Sequence, residues 1–508
     1  MAEEGQRLLA ATDGHDVRGH FAAFASLALQ VALANITRIA LLTIDNAFLG
    51  HLGTSALAAA SLSSTWIQVP LFSVWAMSSA LVTLCGQAYG AANKVLMGVW
   101  LQMALLLVSC LALPVMAWYI SIDVILVQAT DDATVVRLGA RFARVMALSV
   151  WPTLIYACLR QYLQAMHVVA PTTVNGLAAI GITVGANYVL IYGAGNWHGL
   201  GFDGSPLATV IAAWFQPIAL FLYAFVYKKY HKDAWGGWKL SELTWSRWKT
   251  FFRMALPLGL NDALTYLANS CMSLVVAMLG VDALAANAIL LTLWVMLWAL
   301  SFGVGCATQV HVATALGANR PAAAQTMTRI GLGTVVATTA TTASGLYLGR
   351  SFIVGVFTSD ADLVRQCYAV LPLYLLAYAL DALEITLTAV LNGMGQMQFV
   401  SGVSFVGMWL VQLPVAYGLA IHLQYGLHGV WVGYAVTASF KLMVLSVKLL
   451  SVDWSVMARQ AMDAMESETT ATWHVEVAVP SPANAVMEPI NEPWRFQETA
   501  LLPHQDKA

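Results

Sequence analysis

The sequence predicts an all-α integral membrane protein: twelve transmembrane helices in two six-helix lobes, related by a pseudo-two-fold axis along the membrane normal. Three observations predict it. Of the 508 residues, 59% are hydrophobic and only 10% are Asp, Glu, Lys or Arg, against about 25% charged in an ordinary soluble domain. Mostly apolar stretches of about 20 residues, the length that crosses a bilayer, recur along the chain. Four short stretches of the first half also return, in order, in the second.

The apolar spans fall near 24–49, 55–84, 96–119, 138–163, 171–193, 206–227, 251–278, 284–312, 326–349, 366–391, 399–422 and 429–451. Before them, residues 1–23 are polar, with no short apolar core of the kind a cleavable signal peptide needs. The N-terminal segment is therefore expected to stay in the cytoplasm, and insertion rests on the internal spans. Most connections are short. The longest internal one, 228–250, contains Lys228, Lys229, Lys232, Lys239, Arg247 and Lys249, whereas 121–136 and 193–204 on the other face are acidic or uncharged. Basic loops stay cytoplasmic, and an even number of spans lies on each side of the linker, so both termini are expected there too. Its four tryptophans (Trp235, Trp238, Trp245 and Trp248) suit an amphipathic interfacial helix. Residues 452–508 are acid-rich, proline-interrupted and aperiodic, the composition of a disordered tail. Transport is expected to survive truncation after Trp454.

The repeat divides the chain into an N-lobe, 24–227, and a C-lobe, 251–451. "HLGTSALAAASL" (51–62) returns as "MLGVDALAANAI" (278–289), and "YGAANK" (89–94) as "LGANRP" (316–321). "LQAM" (163–166) returns as "LNGM" (391–394), and "GFDGSPLA" (201–208) as "GLHGVWVG" (426–433). The offsets are 227, 227, 228 and 225. Six spans per half is an even number, so the halves share an orientation. Parallel repeats of this kind are a transporter arrangement, with the substrate path between the halves. A channel or a receptor gives no reason for such a duplication.

Composition excludes several other classes. A net charge of −2 offers nothing to a nucleic acid. No phosphate-binding Walker sequence appears, so ATP is not expected as the energy source. The six cysteines lie in or beside apolar segments, as small buried hydrophobes rather than a disulfide framework. No His/Cys cluster has metal-ligand spacing, and no enzymatic chemistry or cofactor is expected.

Ionisable residues inside spans are costly and usually face a bundle interior or a wet path. Asp45 lies in the first span, Asp262 in the seventh, and Asp381 and Glu384 in the tenth, within "YALDALEITL". Asp262 is close enough to its span's end to snorkel. Asp381 and Glu384, at i,i+3, share a helix face. Two neighbouring carboxylates in a dry site titrate as a coupled unit and can hold one proton at neutral pH, which suits proton-coupled transport. Arg38, seven residues before Asp45, is a candidate partner for it or a gate between the halves.

The stretches "TLCGQAYGA" (83–91), "LRQYLQAMHVVAP" (159–171), "GLGFDGSPLA" (199–208) and "TALGANRPAAAQ" (314–325) resemble the multidrug and toxic compound extrusion (MATE) family, most closely its eukaryotic branch. The resemblance covers about residues 24–451. It implies alternating access and efflux of organic cations or xenobiotics in exchange for H⁺ or Na⁺. By this likeness Asp45 matches a first-helix aspartate of the coupling-ion site, and Asn187 a neighbouring fifth-helix asparagine. The seventh-helix glutamate of eukaryotic members is replaced by Thr265, with Asp262 one turn earlier. Asp381 matches an acidic tenth-helix position.

The expectation is a monomeric antiporter that expels a cationic small molecule against a proton gradient. Asp381, Glu384 and Asp262 would form a C-lobe site, Asp45 and Asn187 an N-lobe site, and Thr265, Tyr266 and Tyr378 would line an acidic cleft. Sodium coupling and a lipid-linked precursor flippase are the alternatives. The flippase would need a cationic groove.

Overall fold

The computed structural model describes residues 17–476, apart from 231, 233, 234, 236 and 239. The first sixteen residues and 477–508 lie outside the described residues, and so does that part of the expected polar N-terminus and disordered tail. All twelve expected spans are helical. The N-lobe contains α1 (Val17–Leu52), α2 (Thr54–Gly90), α3 (Lys94–Ile120), the short α4 (Asp123–Ala129), α5 (Ala133–Ala165), α6 (Ala170–Tyr192) and α7 (Gly204–Phe221). The C-lobe contains α8 (Trp245–Ala277), α9 (Val281–Gly317), α10 (Pro321–Leu348), the short α11 (Arg350–Phe357), α12 (Ala361–Gly393), α13 (Met397–His422) and α14 (Gly426–Ser451). A further helix, α15 (Trp454–Glu476), follows the last span.

Ten of the twelve spans are long and apolar enough to cross a membrane on composition alone. The other two, α8 and α10, are as long but more polar. Seven threonines interrupt α10. Thr326, Thr328, Thr334, Thr341 and Thr342 each donate to the carbonyl four residues back. Hydroxyls satisfied within their own helix can face lipid without the cost of an unpaired donor.

The repeat seen in the sequence is also a repeat of backbone devices. Gly53 and Gly280 open α2 and α9 with φ of +125° and +104°, a region glycine enters without strain. Asp132 caps α5 through the Thr134 and Val135 amides, and Asp360 caps α12 through Asp362 and Leu363. The short helices α4 and α11 occupy equivalent places. Between the lobes, α1 packs along α9 and α8 along α2. Each of these contacts maps onto the other when the halves are exchanged, as a two-fold relation requires.

At the end of the bundle nearest α15 the lobes touch backbone to backbone. A Cβ on Gly90 would sit 2.0 Å from the Thr314 carbonyl oxygen, and one on Gly317 would sit 2.0 Å from that of Gln87. Around this crossing, Thr83 Oγ1 donates to the Asn392 carbonyl (2.9 Å), Gln87 Nε2 to Gly393 (3.2 Å) and Gln309 Nε2 to Thr83 Oγ1 (3.1 Å). This end of the seam is sealed.

Two segments differ from expectation. The linker does not form one amphipathic helix carrying all four tryptophans. Thr244 caps α8 through the Arg247 amide, so Trp245 and Trp248 belong to its first turn. Trp235 and Trp238 meet edge to face at 5.2 Å in non-helical chain, where Gly237 takes a φ of +84°. Arg247 is buried, and its guanidinium donates to both the carboxylate and the carbonyl of Glu242 at 2.6 Å, which turns the linker back onto the bundle.

The tail, expected to be disordered throughout, begins with the helix α15. Ala458, Ala461 and Met465 lie at i, i+3 and i+7, one helical face, and all three are buried. The helix packs on α9, α10 and the last turns of α2, and so touches both lobes. Truncation after Trp454 is therefore expected to lower transport per inserted molecule, while removal of 477–508 alone leaves a higher rate. Equal rates for the two truncations, measured at matched insertion, would remove any role for the docked helix.

Candidate functional site

The N-lobe centre is built on α1. Asp45 is half-buried. The Asn187 amide on α6 donates to its Oδ1 at 2.8 Å, and the Thr209 hydroxyl on α7 to its Oδ2 at 2.8 Å. Three helices thus converge on one carboxylate. Both donors are neutral, so the carboxylate is oriented without being charge-neutralised and keeps its capacity for a proton or a metal cation.

Arg38 does not pair with Asp45. Seven residues return to a similar helix face but climb about 10 Å along the axis, farther than the two side chains bridge. Its guanidinium instead lies over the rings of Phe72 and Trp75, 5.4 Å from each centroid. Asp262, on α8 of the opposite lobe, lies within electrostatic reach of it. Arg38 therefore stands at the seam between the lobes rather than beside Asp45.

The C-lobe centre is built on α12. Glu384 is buried. Its Oε1 accepts from Thr388 Oγ1 at 2.8 Å, and its Oε2 lies 3.0 Å from Nζ of Lys441 on α14. Lys441 was not among the residues the sequence singled out. Its aliphatic stem passes close to α13 at Gly407, where a Cβ would lie 2.9 Å from Lys441 Cγ. Asp381, one turn before Glu384 and half-buried, lies within electrostatic reach of Glu384 and Lys441. The two carboxylates share a face as expected, but with a lysine between helices. With all three ionised, the centre carries one net negative charge.

Asp262, expected to join this pair, faces Arg38 at the seam instead. Tyr266, one turn on, donates its hydroxyl to the Thr65 carbonyl across the seam at 3.0 Å, and Thr265 beside it is half-buried. Tyr378 does not line a cleft. It is 1% exposed, and its hydroxyl lies 3.4 Å from that of Ser301 and 3.2 Å from that of Thr342, inside the C-lobe.

The seam is also less acidic than expected. Besides Arg38 and Asp262 it contains Arg160 of α5, whose guanidinium lies 5.2 Å from the Trp75 ring centroid and within electrostatic reach of Cys306 on α9. Both Arg160 and Lys441 stand in apolar runs, "LRQYL" and "SFKLM". The signal that could have found them is the one applied to the acids, an ionisable group in a span, extended to basic residues. Among the described residues no group of three or more His, Cys, Asp or Glu could hold a metal ion.

Duplicated six-span lobes, a seam sealed at one end, and a carboxylate centre inside each lobe define a membrane transporter. The MatE family profile matches residues 31–189 and 257–418, one segment in each lobe, and the chain belongs to that family. It is 30% identical over 448 residues to multidrug and toxin extrusion protein 1 of Oryctolagus cuniculus, spanning 88% of this chain and 78% of that protein. The human protein of the same name is 30% identical over 420 residues, 82% of this chain and 72% of its own length. Among solved structures, the eukaryotic MATE transporter AtDTX14 superposes with a TM-score of 0.78 at 22% identity, covering 87% of this chain and 98% of that one. An outward-facing MATE family transporter superposes with a TM-score of 0.76 at 15% identity, covering 88% and 96%. These two likenesses establish the fold.

Proposed function

We propose that the protein is a secondary-active antiporter that expels small-molecule xenobiotics, organic cations among them, in exchange for protons by alternating access. The observation that carries this reading is the Asp381–Glu384–Lys441 centre. Two carboxylates and one ammonium leave a single negative charge inside an apolar lobe. One proton or one monovalent organic cation neutralises it, but not both, and competition for one site is what exchange requires. Asp45, held by two neutral donors, is the second cation-binding group. Sodium is the alternative coupling ion. It takes several oxygen ligands, and at Asp45 the neutral partners offer Thr209 and Asn187 oxygens for the purpose.

A lipid-linked precursor as substrate is favoured less. Arg38 and Arg160 are offset by Asp262, and one net positive charge is a poor match for a pyrophosphate. Both termini are placed in the cytoplasm, with the membrane either plasma or vacuolar/endomembrane. ATP and nucleic acid have no part in the cycle, and the functional unit is a monomer.

The decisive experiment reconstitutes the full chain in liposomes and imposes a pH gradient or a Na⁺ gradient separately, with a fluorescent organic cation as reporter. Accumulation against the reporter's own gradient is expected with the pH gradient alone. Transport driven only by Na⁺ would replace the proton as coupling ion, and transport with neither would sink the antiporter reading. Asp45→Asn is expected to slow exchange without preventing insertion, since an amide costs less than a carboxylate in the bilayer. Orientation is tested at Lys232, an exposed residue of the linker. Lys232→Cys should react with an impermeant maleimide only after the cytoplasmic face is exposed. Labelling on intact cells would invert the topology.

A further inference from the structure

We propose that Arg38, Trp75 and Arg160 form a binding site at the seam for a planar organic anion, a carboxylate on an aromatic framework. This site is separate from the carboxylate centres, and its test needs no gradient. The first observation is an imbalance of charge. Arg38 and Arg160 flank the same indole, at 5.4 and 5.2 Å from its centroid, and the nearby acid, Asp262, compensates one of them at most.

The second observation is the state of the guanidinium groups. Arg160 is 6% exposed. Neither arginine makes a hydrogen bond or an ion pair with another described residue, and the buried Nε of each has no partner. A guanidinium taken out of water is costly until an anion and its hydrogen bonds compensate it, and a ring face returns less than a carboxylate does. Arg160, buried and unpartnered, with the half-exposed and equally unpartnered Arg38 beside it, therefore describes a site lacking its ligand's charge.

The third observation is shape. Trp75 and Phe72 are half-buried and present aromatic surface beside the two forks. A carboxylate accepts two parallel N–H bonds from a guanidinium, while a planar body carried by it meets the rings in stacked or edge-on contact. An organic cation would meet two like charges here.

Equilibrium titration of the purified full chain in detergent tests the site, with 2-naphthoate, 2-naphthylmethylammonium and inorganic pyrophosphate as probes. Naphthoate is expected to bind. Its affinity should fall about tenfold in Arg38→Gln and in Arg160→Gln, the loss of one charge-assisted hydrogen-bonding group, and less in Arg160→Lys, which keeps the charge without the fork. If the buried Arg160→Gln variant fails to fold, Arg38→Gln, at a half-exposed position, carries the test. Absent naphthoate binding, equal affinity in wild type and the folded glutamine variants, or tighter binding of the ammonium or of pyrophosphate than of naphthoate would each overturn the proposal.

Discussion

Gly90→Ala is expected to keep the lobes from closing at the end nearest α15, and to cut transport by about tenfold or more. The added methyl would lie 2.0 Å from the Thr314 carbonyl oxygen and 2.9 Å from the Ala318 amide nitrogen. These are backbone atoms of α9 and its C-cap, so no side-chain rotation relieves the overlap. Overpacking of this kind costs about 1–3 kcal/mol and occasionally more, and about 1.4 kcal/mol is a factor of ten in an equilibrium. The cost falls on the closed arrangement alone, because the clash disappears when the helices part. Gly317→Ala should behave alike, since it meets the Gln87 backbone equally closely. Small residues at a helix crossing are how membrane helices approach one another, and here the crossing joins the two lobes, which the proposed alternating access would require to separate. Gly181→Ala is the control, with nothing within 4 Å of its Cβ. Alkylation of Cys306, 8% exposed in the closed seam, reports opening directly. Wild-type transport with Cys306 still protected in Gly90→Ala would show that this close approach is not needed.

The second large effect is expected at Lys441. Lys441→Met removes the ammonium and leaves Glu384 buried beside Asp381 with no positive partner. Breaking a buried ion pair from one side costs about 3–5 kcal/mol, less whatever Glu384 recovers by taking up a proton. The variant should melt well below wild type in detergent and reach the membrane in smaller amounts. Glu384→Gln in the same chain should restore most of the stability, since it removes the stranded charge, but not proton-driven export. Asp381→Asn completes the set. It leaves the Glu384–Lys441 pair intact and neutralises the centre, so abundance should stay near wild type while coupling collapses. Wild-type export across a pH gradient in both Asp381→Asn and Glu384→Gln would move the coupling site to Asp45.

The fold was legible because each level of the sequence agreed with the next. Apolar length gave the spans, the repeat gave the lobes, and the threonines of α10 did not mislead because length and position in the repeat outweighed them. The tail helix was missed because its apolar face, Ala458, Ala461 and Met465, is short and set among acids. Its helicity depends on a docking surface that no local pattern reveals. The site was legible in its acids and not in their partners. Asp45, Glu384 and Asp381 stand out against apolar neighbours, and Asn187 was placed beside Asp45 through its likeness to known sequences. Thr209 and Lys441 reach their carboxylates from helices 164 and 57 residues away, and only packing decides such meetings. Arg38 shows the converse limit. A shared helix face left a pairing with Asp45 open beside a gate between the halves, and axial distance separates the two groups.

The internal repeat also shows what duplication did not preserve. Shifted by the offset of its own stretch, each ionisable residue of the three centres lands on a neutral one. Asp45 falls on Met272, Arg38 on Thr265, Asp262 on Asn35, Arg160 on Thr388, Asp381 on Thr153, Glu384 on Tyr156 and Lys441 on Gln216. Two of these counterparts, Thr265 and Thr388, sit beside the opposite lobe's own charges. The two halves thus repeat as packing units and differ as charge distributions. Under the proposed exchange cycle, a motion symmetric in shape would move unlike charges, so the two lobes would respond differently to a membrane potential.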